Sequence, residues 1–133
     1  LDWRERIERA VDRAIEGEAR VGVLTGGGLD SSALLALAHR RTDANAFAVD
    51  FASDGDDRPH LAALASALGI VPTRIRPRDA TLPDNLSAAG MPLTWPSGAA
   101  ESAALEAARA WGASRVLCGA FADAWLDGDL DRL

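Results

Sequence analysis

The sequence predicts an α/β fold, a doubly wound parallel sheet in three layers, α/β/α. Three observations carry that expectation. The apolar run Val21-Gly22-Val23-Leu24-Thr25 stops at Gly26-Gly27-Gly28, then Leu29-Asp30-Ser31-Ser32 leads into the helix formers Ala33 to Ala38, the pattern of strand, tight turn and helix. Four apolar strand-like runs alternate with segments of helical spacing, which implies parallel pairing through right-handed crossovers. The chain of 133 residues, 48% of them apolar, has enough material for one core and one domain.

The first helix starts at Asp2, which can cap it, with Glu5 three residues on. Trp3, Ile7, Ala10, Val11 and Ala14 recur at helical spacing, with Gly17 as the stop, and read as a packing face. The first strand covers about Arg20 to Thr25. The helix after the glycines ends near His39-Arg40-Arg41, basic residues that suit its negative end and place His39 at the surface. Ala46 to Phe51 reads as a strand buried on both faces. The acidic loop Ala52 to Asp57 lacks the spacing and final Glu of an EF-hand, so it reads as solvated and as leading to a cap at Asp57. Arg58-Pro59 suits a first helical turn, and Gly69 closes that helix, with His60 exposed on it.

Ile70 to Arg76 forms the third strand, on which Arg74, Arg76 and Arg78 would share a face, read as a solvated strand end rather than an anion site. Pro77 to Pro96 is the least regular stretch and carries Trp95. Ser97 can cap a helix to Trp111, stopped by Gly112, with Ala104, Leu105, Ala108 and Trp111 as its apolar face. Arg115 to Gly119 is the fourth strand, in which Cys118 reads as a buried small side chain. The tail Asp127 to Asp131 is acidic and solvated.

Charge and composition narrow the function classes. A net charge of −6 disfavours nonspecific nucleic-acid binding, and no apolar run reaches membrane-spanning length. The lone Cys118 cannot form an internal disulfide, in keeping with a reducing, cytoplasmic setting. No secretory signal is visible at Leu1-Asp2-Trp3, which reads as the edge of a fragment.

The glycine turn is the candidate site. Glycines let a ligand approach the backbone, and the helix that follows offers unpaired N–H groups and a positive dipole end to a phosphate. Asp30 would repel a bare phosphate, so a divalent cation between them makes sense of it. A Walker A loop is excluded, because it needs a lysine and all 14 Lys+Arg residues here are arginine. A dinucleotide fingerprint fits Gly26-x-Gly28 and an acid at Asp50, but it has Ser31 where a third Gly or Ala belongs and leaves Asp30 unexplained.

The third reading fits best. Gly27-Gly28-Leu29-Asp30-Ser31-Ser32 resembles the pyrophosphate loop of the N-type ATP pyrophosphatases, usually Ser-Gly-Gly-x-Asp-Ser. With Val21-Gly22-Val23-Leu24 before it, the stretch is similar to the asparagine synthetase family, which includes β-lactam synthetase-like enzymes and lasso-peptide cyclases. Gly26 stands where that family has its leading Ser. Val116-Leu117-Cys118-Gly119-Ala120-Phe121-Ala122-Asp123 resembles the family's Val-Leu-Ser/Thr-Gly-Glu-Gly-Ala-Asp. Here Ala120 replaces an acid and Phe121 a Gly, and Ala124 replaces the Glu that follows.

The resemblance implies an adenine nucleotide alpha hydrolase-like (PP-loop) fold and an ATP-dependent amide ligase that adenylates a carboxylate and releases pyrophosphate. It also implies roles for residues. Gly26, Gly27, Gly28, Ser31 and Ser32 would hold the β- and γ-phosphates, Asp30 and Asp123 would hold Mg2+ and serve catalysis, and Thr25, Val49, Cys118 and Gly119 would contact the nucleoside. The implied ligands are ATP, Mg2+ and a carboxylate substrate, and a glutaminase-type domain would precede this one in the parent. Residues 1–133 would form a single domain shortened at its carboxyl end relative to the family. A degenerate or truncated nucleotide-binding module without turnover is the alternative, ahead of a dinucleotide-binding domain.

Overall fold

The computed structural model describes residues 2–50, 57–76 and 98–119. In chain order these form α1 (Trp3–Ala14), β1 (Arg20–Leu24), α2 (Leu29–His39), β2 (Asp43–Val49), α3 (Arg58–Leu68), β3 (Thr73–Ile75), α4 (Gly98–Trp111) and β4 (Arg115–Cys118). The strands make one parallel sheet in the order β3-β2-β1-β4. The chain moves outward from β1 through β2 to β3, then returns to lay β4 on the other side of β1. The order therefore reverses between β1 and β4, where the carboxyl ends of parallel strands leave a crevice.

The sheet is covered on both faces. Val21, Val23, Ala44 and Ala46 face Val11 and Ile15 near the end of α1, Leu35 and Ala38 of α2, and Leu61 of α3. On the opposite face Phe47, with Leu24, Val49 and Val116, packs on Ala104, Ala108 and Trp111 of α4. Phe47 and Trp111 meet edge to face, 5.9 Å between centroids.

Gly22 sets how closely α4 can lie. A Cβ there would stand 3.1 Å from Ala108 Cβ, 3.3 Å from Val116 Cγ2 and 3.4 Å from Phe47 Cδ2. The α4 stripe that meets this face is Ala100, Ala104 and Ala108, at four-residue spacing. Gly22→Val is therefore expected to overpack this layer and cost about 2–3 kcal/mol, a fall in Tm on the order of 10 °C by thermal melt.

The capping expectations hold at Asp2, whose Oδ1 accepts from Glu5 N–H at 2.8 Å, and at Gly69, which ends α3 in the left-handed region at φ 69°. Pro59 lies in the first turn of α3, and Asp57 is its N-cap without a side-chain hydrogen bond. Four expectations are corrected. Trp3 and Ile7 are 66% and 38% exposed, because α1 engages the core only through its last turns, at Val11 and Ile15. Leu105 is 46% exposed; Ala100 takes its place on the sheet-facing stripe. β3 is shorter than Ile70 to Arg76, with Ile70 packed on the core and Val71 turned to solvent. His39 is half-buried, its Nδ1 3.2 Å from the Ala44 carbonyl, since the chain turns straight back from α2 into β2.

Polar contacts gather at the amino end of the sheet. Arg20 donates to Asp43 Oδ2 (3.1 Å) and to the Trp111 carbonyl (2.9 Å), with its guanidinium 5.1 Å from the Trp111 ring centroid. Glu18 accepts from Ser114 and from Arg115, and the Ser114 hydrogen bond, aided by Arg115, holds its carboxyl below the usual carboxylate range. Arg41 joins α2 to α1 through Asp12 at 2.9 Å. Such exposed pairs contribute little stability individually. They close the end of the sheet opposite the crevice.

Candidate functional site

The crevice at the carboxyl ends of β1 and β4 is a cleft of about 440 Å3, within the usual size range of small-ligand sites. Thr25, Gly26, Gly28, Asp30, Ser31, Val49, Cys118 and Gly119, singled out from the sequence, all line it, together with Leu24, Leu29, Phe47 and Glu101. Gly27 and Ser32 do not line it. Asp123, Ala120, Ala124, Arg78, Trp95 and Ser97 lie outside the described residues.

The loop is ordered by its own hydroxyls. Thr25, 4% exposed, donates its backbone N–H to the Phe47 carbonyl (3.1 Å), which continues the β1–β2 pairing by one residue. Its Oγ1 accepts from Gly27 N–H (3.1 Å) and lies 2.8 Å from Ser31 Oγ, which in turn lies 3.3 Å from the Gly28 carbonyl. The Thr25 hydroxyl is thus engaged in holding the turn, and it does not replace a donor missing at position 26.

The three glycines serve three needs. Gly27 has φ +111°, and a Cβ on it would stand 2.3 Å from the Asp57 carbonyl oxygen and 2.9 Å from Leu61 N, so the turn is seated against the start of α3. Gly28 is the N-cap of α2 and supplies no capping side chain, while its carbonyl accepts from Ser32 N–H at 3.0 Å. The first turn of α2 therefore faces the cleft with its dipole and no side-chain lid. A Cβ at Gly26 would meet nothing within 4 Å, so this position faces open space in the cleft.

The described part of the second motif meets the first. A Cβ at Gly119, just past β4, would stand 3.2 Å from Ser31 N and 3.4 Å from Asp30 Cβ, so the end of β4 abuts the start of α2. Asp30, in the first turn of α2, is the acid of the loop. Among the described residues no group of three or more His, Cys, Asp or Glu side chains forms a metal cluster. Magnesium held chiefly by phosphate oxygens needs only one or two carboxylates, and Asp30 beside the capless α2 terminus fits that demand.

Several residues sit differently from their sequence reading. Cys118 is exposed rather than buried, because β4 is an edge strand of the described sheet and its last residue opens on the cleft. Asp50 does not line the cleft: its Oδ1 lies 3.3 Å from Arg58 and its N–H donates to the Ile75 carbonyl at 2.7 Å. A ribose-reading role in a dinucleotide site loses its main residue. Arg74 and Arg76 are exposed and away from the cleft, and His60 is exposed as expected.

Sequence reasoning missed Glu101. It is half-buried, in the first turn of α4, between Ala100 and Ala104 on an alanine-rich helix. An acid three positions before a fully buried alanine was the signal available.

A family model for asparagine synthase matches residues 2–132, and the chain belongs to that family. Membership brings an ATP-dependent, synthetase-type function in general, with ATP as a substrate. No curated protein matches the chain at a significant level. No helix among the described residues is long and apolar enough to cross a membrane.

Proposed function

We propose that this member of the asparagine synthase family binds Mg-ATP in the β1/β4 cleft and adenylates a substrate carboxylate, as the first half of amide formation. The observation that carries the reading is the meeting of Gly119 with Asp30 and Ser31 at the point where the strand order reverses. A triphosphate laid there meets the backbone of Gly26 and Gly28, the first turn of α2 and the Ser31 hydroxyl. Gly27 and Ser32 would act from behind, by shaping the turn. Asp30 would hold Mg2+, with Asp123 as the second acid in the reading. When bound, the ion neutralises charge on the departing pyrophosphate.

In the proposed reaction a carboxylate oxygen attacks the α-phosphorus of ATP. The bond from that phosphorus to the bridging oxygen breaks, and pyrophosphate leaves with the electron pair. An amine then attacks the acyl carbon of the acyl-adenylate, AMP leaves, and the amine loses its proton. Asparagine synthesis, lasso-peptide cyclisation and β-lactam-type closure all share this sequence. A glutaminase-type domain in the parent protein, supplying ammonia in a reducing cytoplasm, belongs to the first of them.

Substitution of the family's leading Ser by Gly26 favours a second reading, a module that holds nucleotide without turnover. Calorimetry with Mg-ATP tests the binding common to both readings, and no heat from a folded sample rejects both. Pyrophosphate release by the parent protein on adding ATP and a carboxylate separates enzyme from module. Gly26→Ser is a further test. Because position 26 opens on free space, the added hydroxyl is expected to tighten Mg-ATP binding about 3- to 10-fold, the worth of one hydrogen bond to a charged acceptor, with Tm unchanged. Unaltered affinity would mean that the phosphates do not pass beside residue 26.

A further inference from the structure

We infer that Thr25 is a positioning residue, whose buried hydroxyl donates to Ser31 Oγ and so leaves the Ser31 proton for a phosphate oxygen of the bound nucleotide. The inference rests on the ATP-binding reading and adds a residue to it. It follows from counting protons. A hydroxyl carries one proton and two lone pairs. Thr25 Oγ1 accepts Gly27 N–H at 3.1 Å and lies 2.8 Å from Ser31 Oγ. The pair can be arranged in two ways. If Ser31 donates to Thr25, the Thr25 proton has no acceptor among the described residues, on a side chain that is only 4% exposed. A buried donor left in that state is destabilising. If Thr25 donates to Ser31, every proton is used: Gly27 N–H to Thr25, Thr25 to Ser31, and Ser31 to the Gly28 carbonyl. The second arrangement is therefore the favoured one.

The last link in that chain is the weak one. Ser31 Oγ lies 3.3 Å from the Gly28 carbonyl, long for an O–H···O bond. That carbonyl also accepts Ser32 N–H at 3.0 Å, so it keeps a partner when the Ser31 hydroxyl turns away. Ser31 lies in the first turn of α2 and lines the cleft. A phosphate oxygen arriving there is a charged acceptor, and it outcompetes the long bond to a neutral carbonyl. Thr25 stays where it is throughout, because its own proton goes to Ser31 and not to the ligand. The donors running from Gly27 through Thr25 polarise the Ser31 hydroxyl in the same sense.

The test is a double-mutant cycle. Calorimetry measures the affinity of the full chain and its T25V, T25S, S31A and T25V/S31A variants for Mg-pyrophosphate and Mg-ATP, with urea denaturation of each alongside. S31A is expected to weaken both ligands about 10-fold or more, as loss of a hydrogen bond to a charged acceptor implies. T25V should weaken them about 3- to 10-fold, while T25S, which keeps the hydroxyl, stays within about twofold of the wild type. In the S31A background T25V should change affinity by less than about twofold, because the side chain through which Thr25 acts is gone. A Thr25 that only holds the turn through Gly27 N–H would give T25V the same loss with and without the Ser31 hydroxyl, and that result overturns the inference. T25V binding Mg-pyrophosphate like the wild type, or T25S losing as much as T25V, also overturns it. T25A takes the place of T25V should that variant fail to fold, and wild-type affinity in S31A overturns the inference whatever the Thr25 variants do. Each of these results leaves the ATP reading standing if the wild type binds Mg-ATP. A folded wild type that binds neither ligand overturns both.

Discussion

Gly27→Ala is expected to be the most damaging single substitution in the glycine turn, lowering stability by about 3–5 kcal/mol and abolishing nucleotide binding in whatever fraction stays folded. Two costs add. Position 27 sits at φ +111°, where an L side chain is strained. The new methyl would also be driven to 2.3 Å from the Asp57 carbonyl oxygen and 2.9 Å from Leu61 N. Both are backbone atoms of one hydrogen bond in the first turn of α3, Leu61 N–H to the Asp57 carbonyl at 3.0 Å. No rotamer change relieves a clash with backbone. Either α3 lifts away, exposing the fully buried Leu61, or the turn shifts and breaks the bond from Gly27 N–H to Thr25 Oγ1. Urea denaturation and Mg-ATP calorimetry read the two consequences. Gly26→Ser, one residue earlier and in open space, is the control that leaves stability alone. A Gly27→Ala protein melting with the wild type would mean that the turn does not rest on α3.

The contrast between those two glycines marks what could be read in advance. Three consecutive glycines signalled a turn with a ligand-facing backbone, but only the approach of Asp57, some thirty residues away, separates the glycine that seats the turn from the one that faces the cleft. Local chemistry was legible throughout: the Asp2 cap, Pro59 in a first turn and the left-handed stop at Gly69 each depend on neighbours within a few positions. The reversal between β1 and β4 depends on which strands become neighbours, and the structure supplies that order.

What escaped depends on which face of an element finds a partner. The helical spacing of Trp3 and Ile7 is real, yet the core ends before it reaches them. On α4 the rule that large apolar residues point inward chose Leu105. Phe47 and Trp111 already fill that layer, and the gap left at Gly22 admits only alanines. The same close approach places Glu101 over the cleft mouth, which no periodicity could signal. Cys118 was misplaced because an apolar strand pattern does not tell an edge strand from a central one.

Asp30→Asn tests the proposed ion through a change of sign. If Asp30 holds Mg2+ against the phosphates, the neutral variant should bind Mg-ATP about 10- to 100-fold more weakly than the wild type, as removal of a direct ligand implies, and any pyrophosphate release should fall further. With the cation chelated, the order should invert. The wild-type carboxylate then faces bare phosphate; at 4 Å and an effective dielectric constant of 20, two unit charges repel by roughly 4 kcal/mol. Asparagine removes that repulsion, so metal-free ATP should bind the variant at least as tightly as the wild type. A thermal melt of both proteins separates lost binding from lost folding, the helix-dipole share of an acid in a first turn being about 0.3–1 kcal/mol. Calorimetry in Mg2+ and in EDTA supplies the four affinities needed. If Asp30→Asn and the wild type respond to Mg2+ alike, the carboxylate serves α2 and not the ion. The start of the helix would then bind phosphate through its dipole and N–H groups alone.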